Sequence, residues 1–541
     1  MFEDRYSKGA NRLKLLSGAG TIVLAAAIAA PAHADGPRGG LVRVSTATGG
    51  AIAEGGQTAK SMLQNQAPVD ASIIETTAGV ISGAQANGAT VVRDNAQQAI
   101  AIANTATTAI TQDAQVTAGS VVALSTGDNA GRFTAQNSFN AVRLEADEVT
   151  GGSARLDGNI LAADATGNRA VTSATKSASV EGMFGGETGA SVNALLPTFA
   201  PVEGNALEAN GELVAASYQR NTGFGEAMAS DNDITLEVGT GLNTDGALSV
   251  DGNRIAAGYK ANAATTTATI AAGGAGSFEG GVTAANVQSN EAGFDNETMP
   301  LPRAMPSGAS NFGSDVYAAV GYGRDSEMTA NGTLTGSLSL SNNAITASLT
   351  GNDALGTGTA AGNRITIADG VSVAGGNRQA GSYVDGQSGF DRIEADADLT
   401  LLNSQRNLNA GGMIATVAGG SVIADARALL GGSIAVNGNS IAATASGNAA
   451  NSGVDAAAAA DFSATVAIAN QQINRNAGVT AESFANSVGA YAGDYADYDG
   501  DIDFYPVGRL ENGSVTLAGN AERAAATGNS ATQRIAVDAV N

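Results

Sequence analysis

Leu156-Asp157-Gly158-Asn159-Ile160-Leu161-Ala162-Ala163-Asp164-Ala165-Thr166-Gly167-Asn168-Arg169-Ala170 is one of six copies of the same fifteen-residue phrase. The other copies occupy residues 92–106, 250–264, 340–354, 436–450 and 517–531. Repetition of one phrase along most of a chain is typical of a stacked array of equivalent units and not of a single catalytic globule.

Each copy carries two asparagines nine positions apart, and these are the candidate structural residues of the chain. The six pairs are Asn95 and Asn104, Asn159 and Asn168, Asn253 and Asn262, Asn343 and Asn352, Asn439 and Asn448, and Asn520 and Asn529. Gly precedes the second Asn in four copies, and both residue types tolerate the positive φ of tight turns. We therefore expect these asparagines at corners of the chain, where equivalent amides stack as ladders.

The residues between the two asparagines predict a strand with one buried face. In the best copies apolar residues lie two, four and six positions after the first Asn, which is the period of a β-strand. Four positions after it, every copy has Ala, and Ala163, Ala257, Ala347 and Ala443 are expected to face the interior. An Ala-rich helix is the alternative, because Ala is the best helix former, but dense Gly, Asn, Thr and Ser disfavour it.

Composition favours an all-β fold, a β-solenoid (β-helix) built from Asn/Gly-cornered, Ala-rich coils. Aromatic residues are 4% of the chain and Trp is absent, whereas a broad core normally uses large apolar side chains. The copies are 64, 94, 90, 96 and 81 residues apart. Each interval is expected to hold four or five coils of roughly twenty residues, giving a thin rod on the order of 100 Å long. A string of β-sandwich modules is the competing architecture.

The N-terminus is typical of a secretory signal. Basic residues precede an apolar stretch and an Ala32-His33-Ala34 site, which predicts cleavage before Asp35. The domain prediction is a signal peptide over 1–34, an N-terminal segment over 35–90 and a repetitive solenoid over 91–541. No segment is long and apolar enough to predict a transmembrane span. The expected location is therefore secreted, at the cell surface or associated with the outer membrane of a Gram-negative bacterium.

Three irregular stretches are predicted to project from the solenoid, near 183–201, 294–322 and 491–505; the alternative is that they are turns between coils. The last is rich in aromatic residues and is the candidate polymer-binding loop. Its aromatic residues are Tyr491, Tyr495, Tyr498, Phe504 and Tyr505. Alternating carboxylates in the same stretch are candidate Ca²⁺ ligands, although a solvated acidic loop explains them as well. They are Asp497, Asp499, Asp501 and Asp503.

A second, looser phrase repeats Gln and Asn. It occurs at Tyr218-Gln219-Arg220-Asn221, Gln288-Ser289-Asn290, Ser404-Gln405-Arg406-Asn407 and Gln471-Gln472-Ile473-Asn474-Arg475-Asn476. Similar amide positions in several intervals predict a second amide row; ordinary polar filling of an outward face is the alternative.

Composition also excludes much chemistry. The chain has no Cys, and its single His lies in the predicted signal, which removes His-dependent and thiolate catalysis and ordinary zinc sites. The net charge is −24, and −26 once the predicted signal is removed, so nucleic acid is not an expected partner. No cofactor is expected apart from the candidate Ca²⁺. A carboxylate-based polysaccharide hydrolase or lyase is the enzyme class that remains.

The corners Thr166-Gly167-Asn168, Ser446-Gly447-Asn448 and Thr527-Gly528-Asn529, with alternating Ala/Thr and recurrent Gln/Asn, resemble the large component of the holdfast anchor complex of stalked alphaproteobacteria. The resemblance covers most of residues 90–541. It implies a non-enzymatic surface protein that anchors an adhesive polysaccharide to the envelope, with extracellular polysaccharide or other surface proteins as partners. The step Asn448-Ala449-Ala450 is also similar to curlin-type functional amyloid, which implies a homo-oligomer or fibre.

Overall fold

The computed structural model of the chain describes most of its length. The described residues are 39–53, 57–117, 119–178, 183–184, 190–195, 206–239, 244–272, 276–291, 307–320, 333–356, 362–368, 370–374, 380–385, 393–408, 411–456, 461–475, 478–492 and 509–537. Throughout these ranges the secondary structure is β, which confirms the predicted all-β class.

The chain winds through six turns, and the first two are the simplest. The first turn comprises β1 (Gly39–Ala53), β2 (Gln57–Asn65), β3 (Val69–Ile74), β4 (Thr77–Ala86) and β5 (Ala89–Arg93). The second comprises β6 (Ala96–Thr117), β7 (Val121–Asn129), β8 (Phe133–Ser138), β9 (Ala141–Thr150) and β10 (Ser153–Asp157).

The third and fourth turns add short strands after the long first strand. The third comprises β11 (Ile160–Ala178), β12 (Met183–Phe184), β13 (Ala190–Leu195), β14 (Ala206–Gly211), β15 (Leu213–Asn221), β16 (Gly225–Ser230), β17 (Asp233–Val238) and β18 (Ala247–Asp251). The fourth comprises β19 (Arg254–Ala272), β20 (Gly276–Glu279), β21 (Val282–Asn290), β22 (Ser307–Phe312), β23 (Asp315–Val320) and β24 (Ser337–Ser341).

The last two turns end in a single closing strand. The fifth turn comprises β25 (Ala344–Ala354), β26 (Asn363–Ile367), β27 (Val371–Ala374), β28 (Ala380–Asp385), β29 (Ile393–Ala397), β30 (Leu399–Asn407), β31 (Met413–Ala418), β32 (Ser421–Ala426), β33 (Ala428–Leu430) and β34 (Ser433–Asn437). The sixth comprises β35 (Ser440–Ala456), β36 (Asp461–Phe462), β37 (Val466–Asn474), β38 (Val479–Phe484), β39 (Ser487–Ala492), β40 (Arg509–Glu511) and β41 (Ser514–Ala518), and β42 (Ala521–Val537) closes the stack.

Equivalent strands of successive turns pair in parallel. They form five long sheets, numbered here in the order in which the chain visits them, a shorter sheet of β12, β20, β27 and β36, and the pair of β33 and β40. Sheet 1 contains β1, β6, β11, β19, β25 with β26, β35 and β42; sheet 2 contains β2, β7, β15, β21, β30 and β37; sheet 3 contains β3, β8, β16, β22, β31 and β38; sheet 4 contains β4, β9, β17, β23, β32 and β39; sheet 5 contains β5, β10, β18, β24, β34 and β41. This topology is that of a β-solenoid, as predicted. A small antiparallel sheet of β13, β14, β28 and β29 lies against the outer side of sheet 2.

The predicted size of the coil is wrong, because each copy of the phrase marks one whole turn and not four or five. Successive Cα partners in sheet 1 are Gly39, Thr105, Arg169, Ala263, Asp353, Ala449 and Ser530. At roughly 4.8 Å per rung, these six steps span only about 29 Å along the axis. The molecule is therefore a broad, short stack and not a thin rod.

The wide turn explains how a chain poor in aromatic residues fills its interior. Sheet 1 separates two thin cores, so no cavity has to be filled by large rings. Its first half packs against sheets 3, 4 and 5 through residues such as Leu161, Leu156 and Val142. Its second half packs against sheet 2 through residues such as Ala174, Ile270 and Val121. The stacked rings of Phe133 and Tyr259, with centroids 5.6 Å apart, contribute to the first core.

The solenoid begins earlier than predicted, and part of one predicted loop belongs to it. Strands β1 to β5, which lie within the predicted N-terminal segment and at its border, pair with β6 to β10. Residues 307–320 are β22 and β23 in sheets 3 and 4, and not a projecting loop. Of the stretch 183–201, Met183–Phe184 and Ala190–Leu195 are strands. The predicted signal peptide lies outside the described residues.

Candidate functional site

The first asparagine of each phrase lies at a true corner, between sheet 5 and sheet 1. The residue before it has positive φ in all six copies: Asp94 at 55°, Gly158 at 64°, Gly252 at 65°, Asn342 at 56°, Gly438 at 67° and Gly519 at 65°. Only Gly, Asn and Asp occur there, which are the residues that adopt this conformation at least cost. The conformational requirement therefore falls one position before the Asn.

These corner asparagines form a continuous amide chain, here called the corner ladder. Each Nδ2 donates to the Oδ1 of the next turn at 2.8–3.0 Å, from Asn95 through Asn159, Asn253, Asn343 and Asn439 to Asn520. The backbone N–H donates to the same Oδ1 at 2.9–3.1 Å. From Asn159 onward, Nδ2 also donates to a backbone carbonyl of the preceding turn. Because the amides of the middle turns are saturated, their burial is compensated.

The second asparagines form a strand ladder, but they are not at corners. Asn104, Asn168, Asn262, Asn352, Asn448 and Asn529 lie inside long strands of sheet 1, and none has positive φ. Successive Nδ2 and Oδ1 atoms are 2.7–2.8 Å apart. The buried face of the strand changes at this position: in β35, Ile441, Ala443 and Ala445 belong to the first core, and Val454 and Ala456 to the second. The chain changes face there without leaving the sheet.

The strand ladder also joins sheet 1 to sheet 2. Each Nδ2 donates to a carbonyl near the end of a sheet 2 strand; Asn168 donates to Arg220 at 2.6 Å and Asn448 to Ile473 at 2.9 Å. The Gly that precedes this Asn in four copies has no positive φ, and it lies close to the backbone of the next turn. A Cβ on Gly447 would lie 2.4 Å from the carbonyl oxygen of Gly528 in the next turn.

The looser Gln/Asn phrase forms the predicted second amide row, on sheet 2. Gln472, Gln405 and Gln288 donate in series toward Gln219 at 2.7–3.0 Å. A parallel asparagine ladder extends further than the phrase indicated, through Asn65, Asn129, Asn221, Asn290, Asn407 and Asn474. Asn65 and Asn129 were not identified from the sequence because neither has the Gln two positions earlier that marks the other copies.

The outward face of sheet 4 carries the main cluster of titratable groups on the described surface, here called the acidic face. Asp233 and Asp315 are Cα partners on adjacent rungs, and Arg143 lies 3.7 Å from Asp233. Tyr317 is two residues beyond Asp315, on the same side of the strand. The hydroxyl of Ser421 donates to Asp315 at 2.6 Å.

Partial burial and mutual repulsion change the acidity of this face. Desolvation raises the pKa of Asp233 to about 6, with further increases from Asp315 and Asp231, while Arg143 opposes the rise. Desolvation also raises the pKa of Asp315, although the hydrogen bonds from Ser421 oppose this. A carboxyl with a pKa near 6 exchanges a proton at neutral pH, which is the property required of a general acid.

One of the predicted polymer-binding aromatic residues is described. Tyr491 lies in β39 at the end of sheet 4, as the rung partner of Asp425. Tyr495, Tyr498, Phe504 and Tyr505, and the candidate Ca²⁺ ligands Asp497, Asp499, Asp501 and Asp503, lie outside the described residues. Within the described ranges, no group of three or more carboxylate, His or Cys side chains is placed to hold a metal ion. The same residues include no helix long and apolar enough to cross a membrane.

A buried lysine lies in the second core. The Nζ of Lys176 is fully enclosed and donates to the carbonyl of Gly119 at 2.8 Å. Desolvation lowers its pKa to about 8, and the charge of Glu212 opposes that decrease. Because Lys176 has no exposed surface, it cannot contact a substrate from solvent. It belongs to the interior and not to the acidic face.

No family model matches the chain, and no curated protein or solved structure is significantly similar to it.

Proposed function

We propose that this chain is a secreted, surface-located structural protein that anchors an extracellular adhesive polymer to the cell envelope. The observation that carries the proposal is the use of the repeated amides. The side chains that the sequence repeats most regularly form internal hydrogen bonds between turns, such as the bond from Asn168 to Asn262. Selection for a rigid scaffold accounts for this pattern, whereas a catalytic role does not require it. The resemblance to the holdfast anchor component supports the same reading.

The acidic face is the surface that we assign to polymer contact. Tyr317 and Tyr491 are half-buried rings on the outer side of sheet 4, and the strand that carries Tyr491 leads into the aromatic-rich stretch 493–505. Tyrosine rings stack on sugar faces, and neighbouring carboxylates accept hydrogen bonds from hydroxyl groups. Ca²⁺ bound by the candidate ligands of that stretch, Asp497, Asp499, Asp501 and Asp503, would bridge to an anionic polymer.

A binding experiment tests this assignment. The double variant Tyr317→Ala/Tyr491→Ala should lower retention of the protein on purified extracellular polysaccharide at least about tenfold, which corresponds to two contacts worth about 0.7 kcal/mol each. Phe139→Ala is the matched control, since Phe139 is an exposed ring at the corner between sheets 3 and 4 and outside the acidic face. Equal loss for the control, or no loss for the double variant, contradicts the assignment. Deleting the gene should leave growth unchanged and release adhesive material into the medium.

A polysaccharide-acting enzyme is the second candidate, and the acidic face is the observation that favours it. Two carboxylates and an arginine lie together there, and Asp233 has the raised pKa of a general acid. Incubating the purified protein with the polymer and measuring new reducing ends distinguishes the two functions. If the protein produces new reducing ends and Asp233→Asn abolishes this turnover, the function is hydrolysis and not anchoring. Retention of the polymer without new reducing ends supports anchoring.

A further inference from the structure

Both ends of the solenoid expose the edges of its sheets. At one end, β2, β3, β4 and β5 each pair on one side only; at the other, β37, β38, β39, β41 and β42 do so. These statements hold for the described part of the chain. An unpaired edge presents a row of free N–H and C=O groups, which is a template for another strand.

Exposed apolar side chains are concentrated on these two ends. Among the residues whose side chains the structure describes, sixteen large hydrophobic ones are exposed, and eleven of these lie on the first or last turn: Met62, Ile74, Val80, Ile81, Val91, Phe484, Leu510, Val515, Leu517, Ile535 and Val537. Leu517 shows the cause. It is 55% exposed, whereas Leu156, Val250, Leu340 and Val436 of the same column are fully buried. A core position is open at the end because no further turn covers it.

The two ends match each other in length and register. Following the columns through the stack, β37 is equivalent to β2, and both have nine residues. In the same way β38 is equivalent to β3 and β41 to β5, with six and five residues in each member of the pair. If a second copy is translated by six rungs along the axis, its Ile74 lies over Phe484 of the first copy, and its Val92 lies over Leu517 of the first copy.

The corner ladder gives the contact a direction. The backbone N–H of each corner asparagine donates to the Oδ1 of the asparagine in the next turn, which orients that amide so that its Nδ2 points onward along the stack. At the last turn the N–H of Asn520 and one Nδ2 hydrogen have no described acceptor, and at the first turn the Oδ1 of Asn95 has no described donor. Contact between opposite ends joins donors to the acceptor, whereas contact between like ends joins donors to donors. The corner ladder therefore disfavours contact between two like ends of the solenoid.

The end of β42 would block the direct stacking of a second copy. Gly39 and Ser530 lie in the same column of sheet 1, so the chain starts and finishes its six turns at the same place. In a second copy advanced by six rungs, β1 would occupy the rung that residues 530–537 already hold. The side chains of these residues are mostly exposed, and within the described ranges they pair with β35 alone.

We propose that copies of this chain associate head to tail, the last turn of one copy pairing with the first turn of the next, and that β1 of the incoming copy displaces residues 530–537. The partner is a second copy of this chain because it supplies strands of equal length in sheets 2, 3 and 5, the same columns and the complementary ladder end. The association does not depend on the proposed anchoring function, and it extends every sheet without changing the fold.

Sedimentation of the purified protein over a concentration series, with electron microscopy, tests the proposal. A variant truncated after Asn529 loses the competing strand and should form linear assemblies with an axial repeat of about 29 Å per copy. Its half-association concentration should be at least about tenfold lower than that of the full chain. Circular dichroism must show that the variant remains folded. A folded truncated variant that stays monomeric over the whole series overturns the proposal.

Two end-blocking variants test the direction. Ile74→Lys blocks the first turn and Phe484→Lys the last, so each alone should remain monomeric, while their mixture should give dimers and nothing longer. Phe312→Lys is the matched control, because Phe312 occupies the same column in the middle of the stack and is also exposed. Self-association of either blocked variant, or loss of assembly in the control, contradicts the head-to-tail contact.

Discussion

The Nδ2 of Asn168 donates to the Oδ1 of Asn262 at 2.8 Å, although the two residues are 94 positions apart in the chain. That separation is the length of one turn. The bond belongs to a row of five that crosses the stack between two apolar cores, so each buried amide depends on its neighbours for both its donor and its acceptor. Polar rows of this kind fix the register of the turns, since a slip of one residue leaves every amide unpaired.

The strand ladder predicts a large penalty for removing one amide. Asn448→Val eliminates the bonds to Asn529 and Ile473 and leaves the Nδ2 of Asn352 without its acceptor. We expect the free energy of unfolding to fall by about 2–4 kcal/mol, measured by denaturant titration. Asn529→Val on the exposed last rung should cost less than half as much. Equal stability of Asn448→Val and the wild type would show that the ladder contributes nothing.

Substitutions of Gly252 at the corner distinguish a cost of backbone conformation from a cost of side-chain packing. Gly252 has φ of 65° and open space around its Cβ position, so only the backbone conformation resists a side chain. Gly252→Val should lower stability by about 1–2 kcal/mol. Gly252→Asn is the control and should be nearly neutral, because Asn342 adopts φ of 56° at the equivalent position. Thermal unfolding of both variants checks this; a neutral Val would refute the conformational explanation.

The interior alanines predict overpacking. Ala257 is buried in the first core, as the sequence predicted, together with Ala163, Ala347 and Ala443. Ala257→Leu has no free space to occupy and should cost about 1–3 kcal/mol. Ala524 belongs to the same column but lies exposed on the last rung, so Ala524→Leu should be tolerated. Similar losses at both positions would mean that the penalty is not one of core volume.

The acidic face predicts a stability that depends on pH. Because the pKa of Asp233 is raised to about 6 from 3.8, the folded state holds this proton more tightly than the unfolded state does. The contribution of Asp233 is therefore fully present below about pH 4 and is lost as the pH rises through about 6. Asp233→Asn should remove this part of the pH dependence and be more stable than the wild type at pH 7.5. Denaturant titrations of both proteins at pH 4 and pH 7.5 measure the free energy of unfolding. If this free energy changes between the two pH values by the same amount in Asp233→Asn as in the wild type, the prediction is contradicted.

The sequence by itself determined the strands of the repeated phrase, their inward faces and most of the ladder-forming asparagines. Alternation of apolar and polar residues fixes which side of a strand is buried, and this local rule placed Ala163 and Leu161 correctly. A repeated amide at a constant offset also fixes which residues become neighbours in any parallel stack, whatever its width. The paired asparagines and the Gln/Asn phrase were predictable for that reason.

Only the tertiary structure decided how long a turn is, and with it the shape of the protein. Between two copies of the phrase the chain runs through sheets 2 to 5, whose inward positions accept any small apolar residue and so carry no recognisable period. The tertiary structure likewise moved the positive φ from Asn168 to Gly158, because the long strand continues through the Gly-Asn step once sheet 2 supplies a carbonyl for its amide. Local patterns specify which face of each strand is buried; the distance that the chain travels before it meets its own earlier turn depends on contacts between residues about 64 to 96 positions apart, as in the pairing of Asn95 with Asn159 and of Asn343 with Asn439.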